Sequence, residues 1–199
     1  MASDYLSFGT QVWSYVDASI VPLVADDWNL DVAWQMTMIN VQTSALTGLV
    51  TRSLYRSVAR ERPDVEPCRQ NPDYHEMCFT GTTTSFPSGH TAGAFAGAGL
   101  VCAHHFAMPL YGAPIADALA CGVSASMAVS VAVLRLQADR HYATDVMTAA
   151  LLGTATGFVL PSFGHYWFVE IPTQGGVASR LAVTPLLGST WGATVFGSL

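Results

Sequence analysis

The stretch from Pro87 to Met108 reads PSGHTAGAFAGAGLVCAHHFAM, and its reading decides the architecture. Pro87 suits the first turn of a helix, where a missing N–H costs nothing, with Ser85 or Phe86 just outside it. No acidic or basic residue other than histidine interrupts the run before Pro109, Gly112 and Pro114 make a turn. At 1.5 Å per residue a helix from Ser88 to Met108 is roughly 32 Å long. Gly93 and Gly97, with Ala94, Ala96 and Ala98, are packing positions that let neighbouring helices come close. The next segment, Ile115 to Gln137, runs back over the same length. Arg135, Arg140 and His141 therefore return to the end of the bundle that holds Ser88, Gly89 and His90.

Working outward, Tyr5 to Val24 reads as a helix lying against the rest and ended near Pro22. Asn29 to about Arg60 reads as one long helix, capped by Asn29 or Asp31 and closed off by Pro63. Its last turns carry Arg52, Arg56 and Arg60 at intervals of four, one face of basic side chains. Asp64 to Phe86 is a loop longer than connectors usually need, a length often tied to function. A further helix is expected from about Ala143 to Leu160, stopped by Pro161. The tail from Leu181 to Leu199 alternates apolar and small residues and reads as a β-hairpin or an extended segment. No repeat and no interior linker divides the chain. The expectation is a single domain over 1–199, an all-α bundle of about five to six helices with a short irregular or β-hairpin tail.

Hydrophobic residues make up 51% of the 199 positions and charged residues 11%, against roughly 25% in ordinary soluble domains. So much apolar surface excludes a disordered chain. A net charge of −6 without a basic tract excludes nucleic acid as partner. All eight basic residues are arginine. Three runs, 32–51, Ala118–Leu134 and Val146–Gly164, lack Asp, Glu, Lys and Arg and approach the roughly 20 residues that span a membrane. They are rich in small residues suited to helix contacts within a bilayer, and Trp13, Trp28, Trp34 and Trp167 stand near run ends as interfacial anchors would. A membrane-embedded bundle is therefore expected. Met1 to Ala25 lacks a basic leader pattern, so the chain's own helices would direct insertion. Cys68 and Cys78 flank a polar loop, and a disulfide there would require an oxidising compartment. Cys102 and Cys121 sit in apolar runs and read as small buried hydrophobes. They also stand nearly equidistant from the turn at Tyr111, which would let them face each other.

Charge is scarce, and its concentration at one end of the bundle defines a site. Arg62 and Arg135 present planar forks of donors matched to phosphate oxygens. Ser88, Gly89 and His90 occupy a helix's first turn, where free N–H groups and the positive dipole end face an anion. Gly89 lets the backbone approach it without a Cβ in the way. His141 and Asp145 are four apart, and on one helical face the carboxylate would accept the imidazole N–H, leaving the other ring nitrogen free to attack. His90, across the anion, is suited to protonate a leaving alcohol. No metal ligand set is present: His104 and His105 point about 100° apart and read as helix-end polar residues.

Arg62-Pro63, then Pro87-Ser88-Gly89-His90, then Arg135 with His141 and Asp145 resemble the type 2 phosphatidic acid phosphatase family, whose superfamily includes lipid phosphate phosphatases, bacterial acid phosphatases and vanadium haloperoxidases. The resemblance covers about residues 50–160. It implies a helical bundle and a phosphohistidine intermediate, with His141 as nucleophile, Asp145 as its orienting partner and His90 as general acid. It gives Arg62, Arg135, Ser88 and Gly89 the phosphate. It implies no metal and no cofactor, phosphate or vanadate being what fills the site. It also implies a phosphorylated lipid or small phosphate ester as partner, and a bacterial inner membrane with the site on the periplasmic face. Two positions depart from the pattern: the family lysine is Tyr55, and the serine before the second arginine is Leu134. Arg56, Arg60 and Arg140 are the candidates to restore the missing charge. A haloperoxidase, or a phospholipid-binding protein without turnover, is the alternative.

Overall fold

The computed structural model describes residues 2–25, 28–74, 78, 83–166, 170–172, 178–185 and 191–196. It is an all-α bundle of α1 (Ala2–Ser19), α2 (Val21–Ala25), α3 (Leu30–Val58), α4 (Val65–Gln70), α5 (Gly89–Ala107), α6 (Pro114–Gln137) and α7 (Ala143–Thr154). Three short strands follow, β1 (Glu170–Pro172), β2 (Ala178–Pro185) and β3 (Trp191–Phe196), antiparallel in that order. The expected tail hairpin is thus the β2–β3 pair with one strand added. Trp167 and parts of the 64–86 loop, residues 75–77 and 79–82, lie outside the described residues.

Local signals set most boundaries. The Asn29 side chain accepts the Val32 N–H at 3.2 Å, as an N-cap does, and Ala59 closes α3 in the left-handed conformation with φ 46°. Pro114 opens α6. Pro87 lies two residues before α5, with Ser88 as its N-cap. Pro161 does not stop the last helix. Wider π-helical turns at Ala155–Val159 and Ser162–Tyr166 flank it and carry the rod on to Tyr166, because a wider turn accommodates the missing donor.

The bundle is built around α5, which is buried along nearly its whole length. What lets the others close on it is the absence of side chains. A Cβ on Gly97 would come within 2.9 Å of the Thr10 carbonyl of α1, and one on Gly153 of α7 would collide with the Ala92 carbonyl of α5. The helices turn unusual faces inward. From α1 come Ser3, Ser7, Thr10, Ser14 and Asp17, and from α3 Asn40, Thr43, Thr47 and Thr51. Many of these hydroxyls bond carbonyls one turn back, as Thr10 does to Ser7 (2.9 Å) and Thr47 to Thr43 (2.8 Å). The large apolar side chains point out instead: Tyr5 and Phe8 on α1, Leu49 on α3, Ile115 and Leu119 on α6, Met147 and Leu151 on α7. Two rods of 24 residues, Pro114–Gln137 and Ala143–Tyr166, are long and apolar enough to cross a membrane, and about a third or less of each is buried within the bundle.

Two sequence expectations are corrected. Cys102 and Cys121 are not merely packed: the α5–α6 hairpin brings their Cα atoms to 4.5 Å and they form a disulfide, as do Cys68 and Cys78. His104 and His105 do lie in the last turn of α5, as polar helix-end residues, but both are buried and bonded across the bundle. His105 lies between Asp117 (2.6 Å) and Asp17 (3.2 Å), and His104 between Asn40 (2.8 Å) and Tyr166 (2.5 Å). These buried contacts bind α1, α3, α6 and the end of the last rod to α5 at the end remote from Gly89. No group of three metal-ligating side chains occurs among the described residues.

Replacing Gly153 by alanine will cost about 1–3 kcal/mol through overpacking against α5. Gly122→Ala, where nothing lies within 4 Å of the new Cβ, will stabilise by about 0.5–1 kcal/mol through helix propensity. Denaturation midpoints of the two variants in detergent measure the difference.

Candidate active site

Three chain segments meet at the Gly89 end of the bundle, and hydrogen bonds to backbone groups hold them there. Ser85 donates its N–H to the Arg60 carbonyl at 3.0 Å, and Ser88 donates its N–H to the Asp145 carbonyl at 3.1 Å. The loop before α5 is thereby fastened to the end of α3 on one side and the start of α7 on the other. Arg62, in the segment that follows α3, turns toward this loop, where its guanidinium donates to the Thr84 hydroxyl at 3.3 Å. Arg135 arrives from the last turn of α6, almost wholly buried.

Asp145 lies at the centre of the knot with no exposed surface. Its Oδ2 accepts the Ser85 hydroxyl (2.5 Å) and the Tyr142 N–H (3.0 Å), and its Oδ1 accepts from Arg60 (2.8 Å). A buried carboxylate is tolerated because its lone pairs are taken by donors and its charge by a guanidinium. It does not bond the His141 imidazole directly. His141 precedes α7 rather than lying on its face, and its Nδ1 is 4.0 Å from Asp145. The Nδ1–H instead donates to the Ser85 carbonyl at 2.8 Å. That bond selects the tautomer and leaves Nε2 as the free lone pair. Sequence reasoning missed Ser85, because a backbone carbonyl acceptor carries no side-chain signal.

The electrostatics follow from burial among cations. Burial drives the His141 pKa down to about 3; the Ser85 carbonyl opposes this, and Arg135, Arg62 and His90 add to it. His90 is pushed below its ordinary value by burial and then by Arg135 and Arg62, with Asp4 working against them. Both histidines therefore feel the charges of Arg135 and Arg62. Ser88 is buried at the N-cap of α5 and accepts from the Thr91 hydroxyl at 3.0 Å. Gly89 faces the Tyr55 hydroxyl so closely that a Cβ there would collide with it. The Nε groups of Arg62 and Arg135 are both buried with no hydrogen-bond partner among the described residues. Buried donors left over on two neighbouring guanidinium groups fit an anion with several acceptor oxygens.

Of the three arginines considered as replacements for the missing lysine, two pair with carboxylates and one is exposed. Arg60 binds Asp145 and Thr144 and stacks over the Tyr142 ring at 3.8 Å. Arg140 pairs with Asp64 at 3.0 Å. Arg56 lies on the exposed side of α3. The lysine position itself holds the neutral Tyr55 hydroxyl against the Gly89 N–H. A second residue that sequence reasoning missed is Asp4, whose Oδ1 lies 3.0 Å from Arg135 and 3.1 Å from the His90 Nε2.

The family model described as the PAP2 superfamily matches residues 37–168, a span that takes in every one of these site residues except Asp4. No curated protein and no solved structure matches the chain.

Arg60→Met strands the buried Asp145 carboxylate and will lower stability by about 3 kcal/mol. Arg56→Met, on the exposed side of the same helix, will stay within about 0.5 kcal/mol. Parallel denaturation of the two variants reads this out.

Proposed function

The chain belongs to the PAP2 superfamily and is a phosphatase-type hydrolase of phosphoric esters; from that premise and the site's geometry we propose that it hydrolyses a lipid phosphate or diphosphate through a phosphohistidine. The observation that carries the reading is His141: a neutral imidazole, its Nδ1–H held by the Ser85 carbonyl, among two guanidinium groups with unused donors. Arg62 and Arg135 hold the phosphoryl oxygens at the positive end of the α5 dipole. His141 Nε2 attacks phosphorus, the P–N bond forms as the P–O bond breaks, and His90 gives its proton to the departing oxygen. Water, losing a proton to His90, then attacks the phosphohistidine. The P–N bond breaks, inorganic phosphate leaves and both histidines are restored. While phosphorylated, His141 is cationic, and the Asp145 carboxylate 4.0 Å away offsets that charge through space. Phosphoryl transfer asks for positioning and charge stabilisation above all, and the arginines and the helix start supply both without a metal.

The lipid class rests on the outward face of the bundle. Leu119, Val123 and Val129 on α6 and Leu151 and Phe163 on the last rod are all exposed, a surface that bilayer rather than water would cover. Disulfides persist in oxidising compartments. The Cys68–Cys78 bridge lies in the loop that follows Arg62, so the site is proposed to face the oxidising side, the periplasm in a bacterial inner membrane.

Phosphate release from phosphatidic acid, a polyprenyl diphosphate and a soluble monoester, measured for the wild type and His141→Ala, tests the reading. The lipid substrates are expected to be preferred, and the variant to lose roughly 10³-fold or more in kcat/KM. Unchanged release in the variant sinks it. The pH profile has a definite sign. His141 acts neutral, so the rate falls only as pH drops toward about 3. His90 acts protonated, so the rate falls as pH rises through a value below about 6.5. An acidic optimum is expected, with the alkaline limb displaced or lost in His90→Gln.

A further inference from the structure

We propose that Asp4, on the N-terminal helix, is an internal anion that occupies the phosphate locus between Arg135 and His90 and sets how tightly this chain holds phosphate. The inference rests on the proposed phosphatase reading and concerns the same locus. One carboxylate oxygen of Asp4 lies within hydrogen-bond distance of both Arg135 NH1 (3.0 Å) and His90 Nε2 (3.1 Å). A phosphoryl oxygen held by the same two groups would have to stand in that place. The Ser3 hydroxyl, one residue earlier, lies 3.2 Å from the same guanidinium nitrogen.

The placement is imposed by a rigid element. Helix α1 is seated on α5 by the close approach of Gly97 to the Thr10 backbone, by the Ser7 hydroxyl on the His90 carbonyl (3.0 Å) and by the Gln11 amide on the Gly93 carbonyl. These contacts deliver its first turn to the site. Exposure gives the direction of the effect. The Arg135 side chain is 8% exposed and Asp4 is 47% exposed, so the carboxylate stands between the guanidinium and solvent. An incoming phosphate carries the same sign of charge and needs the same donors. It must push Asp4 aside, and the carboxylate returns when product phosphate leaves. Affinity is reduced and release is hastened by one residue far from the motif-bearing segments.

The experiment is titration calorimetry of the full-length purified protein with inorganic phosphate, comparing wild type, Asp4→Asn and Asp4→Glu. Asp4→Asn keeps the shape and removes the competing charge, and is expected to tighten phosphate about tenfold. Asp4→Glu is expected to stay within about threefold of wild type. Equal or weaker binding in Asp4→Asn overturns the proposal. Should that variant fold poorly, amide hydrogen exchange on the wild type decides: phosphate is expected to speed exchange of Leu6, Ser7 and Phe8, whose N–H groups bond the carbonyls of the first turn of α1, and unchanged protection there overturns the proposal. Outcomes for the two readings separate. Phosphate binding that tightens in Asp4→Asn in a protein that turns over no ester removes the phosphatase reading alone. Turnover with unaltered phosphate affinity in Asp4→Asn removes this one alone. No phosphate binding by any of the three proteins removes both.

Discussion

The wholly buried carboxylate of Asp145 is the constraint on which the working end of this protein depends. An ion with no exposure survives only where donors meet it from several directions, and here they come from three separate parts of the chain: Arg60, Ser85 and the Tyr142 N–H. Satisfying the charge therefore fixes the end of α3, the loop before α5 and the start of α7 relative to one another. His141 and the α5 N-terminus inherit their positions from that arrangement. The carboxylate directs the imidazole through Ser85, whose hydroxyl it holds and whose carbonyl takes the ring N–H.

The rest of the bundle inverts the ordinary rule of packing. Its interior is rich in glycine, alanine, serine and threonine around a few large apolar side chains such as Met36, Leu100 and Val131, and many of its other leucines, valines and aromatics face outward. In water that exchange would forfeit the main driving force for folding. In a bilayer, close backbone approach and hydroxyl-to-carbonyl bonds replace it. The same close approach has a further consequence, because seating α1 against the glycine face of α5 carries Ser3 and Asp4 to the Arg135 guanidinium. At the opposite end His105, between two aspartates, serves as a second buried polar knot.

Much of this was legible in the residues. The long charge-free stretches, the Asn29 cap and the turn prolines marked α3, α5 and α6 closely, because caps and breakers act over a few residues of chain. Arg62, Ser88, Gly89, His90, Arg135, His141 and Asp145 could be named from type and spacing, since helix lengths dictate which ends return together. Three expectations failed for one shared reason. Pro161 was read as a stop although wider turns carry the helix past it. His104 was read as a helix-end polar residue although Asn40 and Tyr166 enclose it. Arg60 was read as a spare cation although Asp145 engages it. Each outcome depends on what the rest of the fold brings to that spot, and no local pattern records it.

What the sequence by itself determined is the family and the set of residues that carry its pattern: arginine forks, a glycine-bearing helix start and histidines in a chain poor in charge. Helix periodicity and the rise per residue were enough to bring them to one end. The tertiary structure alone decided which group completes which. The Ser85 carbonyl rather than Asp145 accepts the imidazole N–H, Tyr55 rather than a cation stands over Gly89, and Asp4 reaches across the bundle to Arg135. Such pairings are made in space between residues far apart in the chain, by the need of every buried charge and donor to find a partner, and that need is met only once the helices have packed.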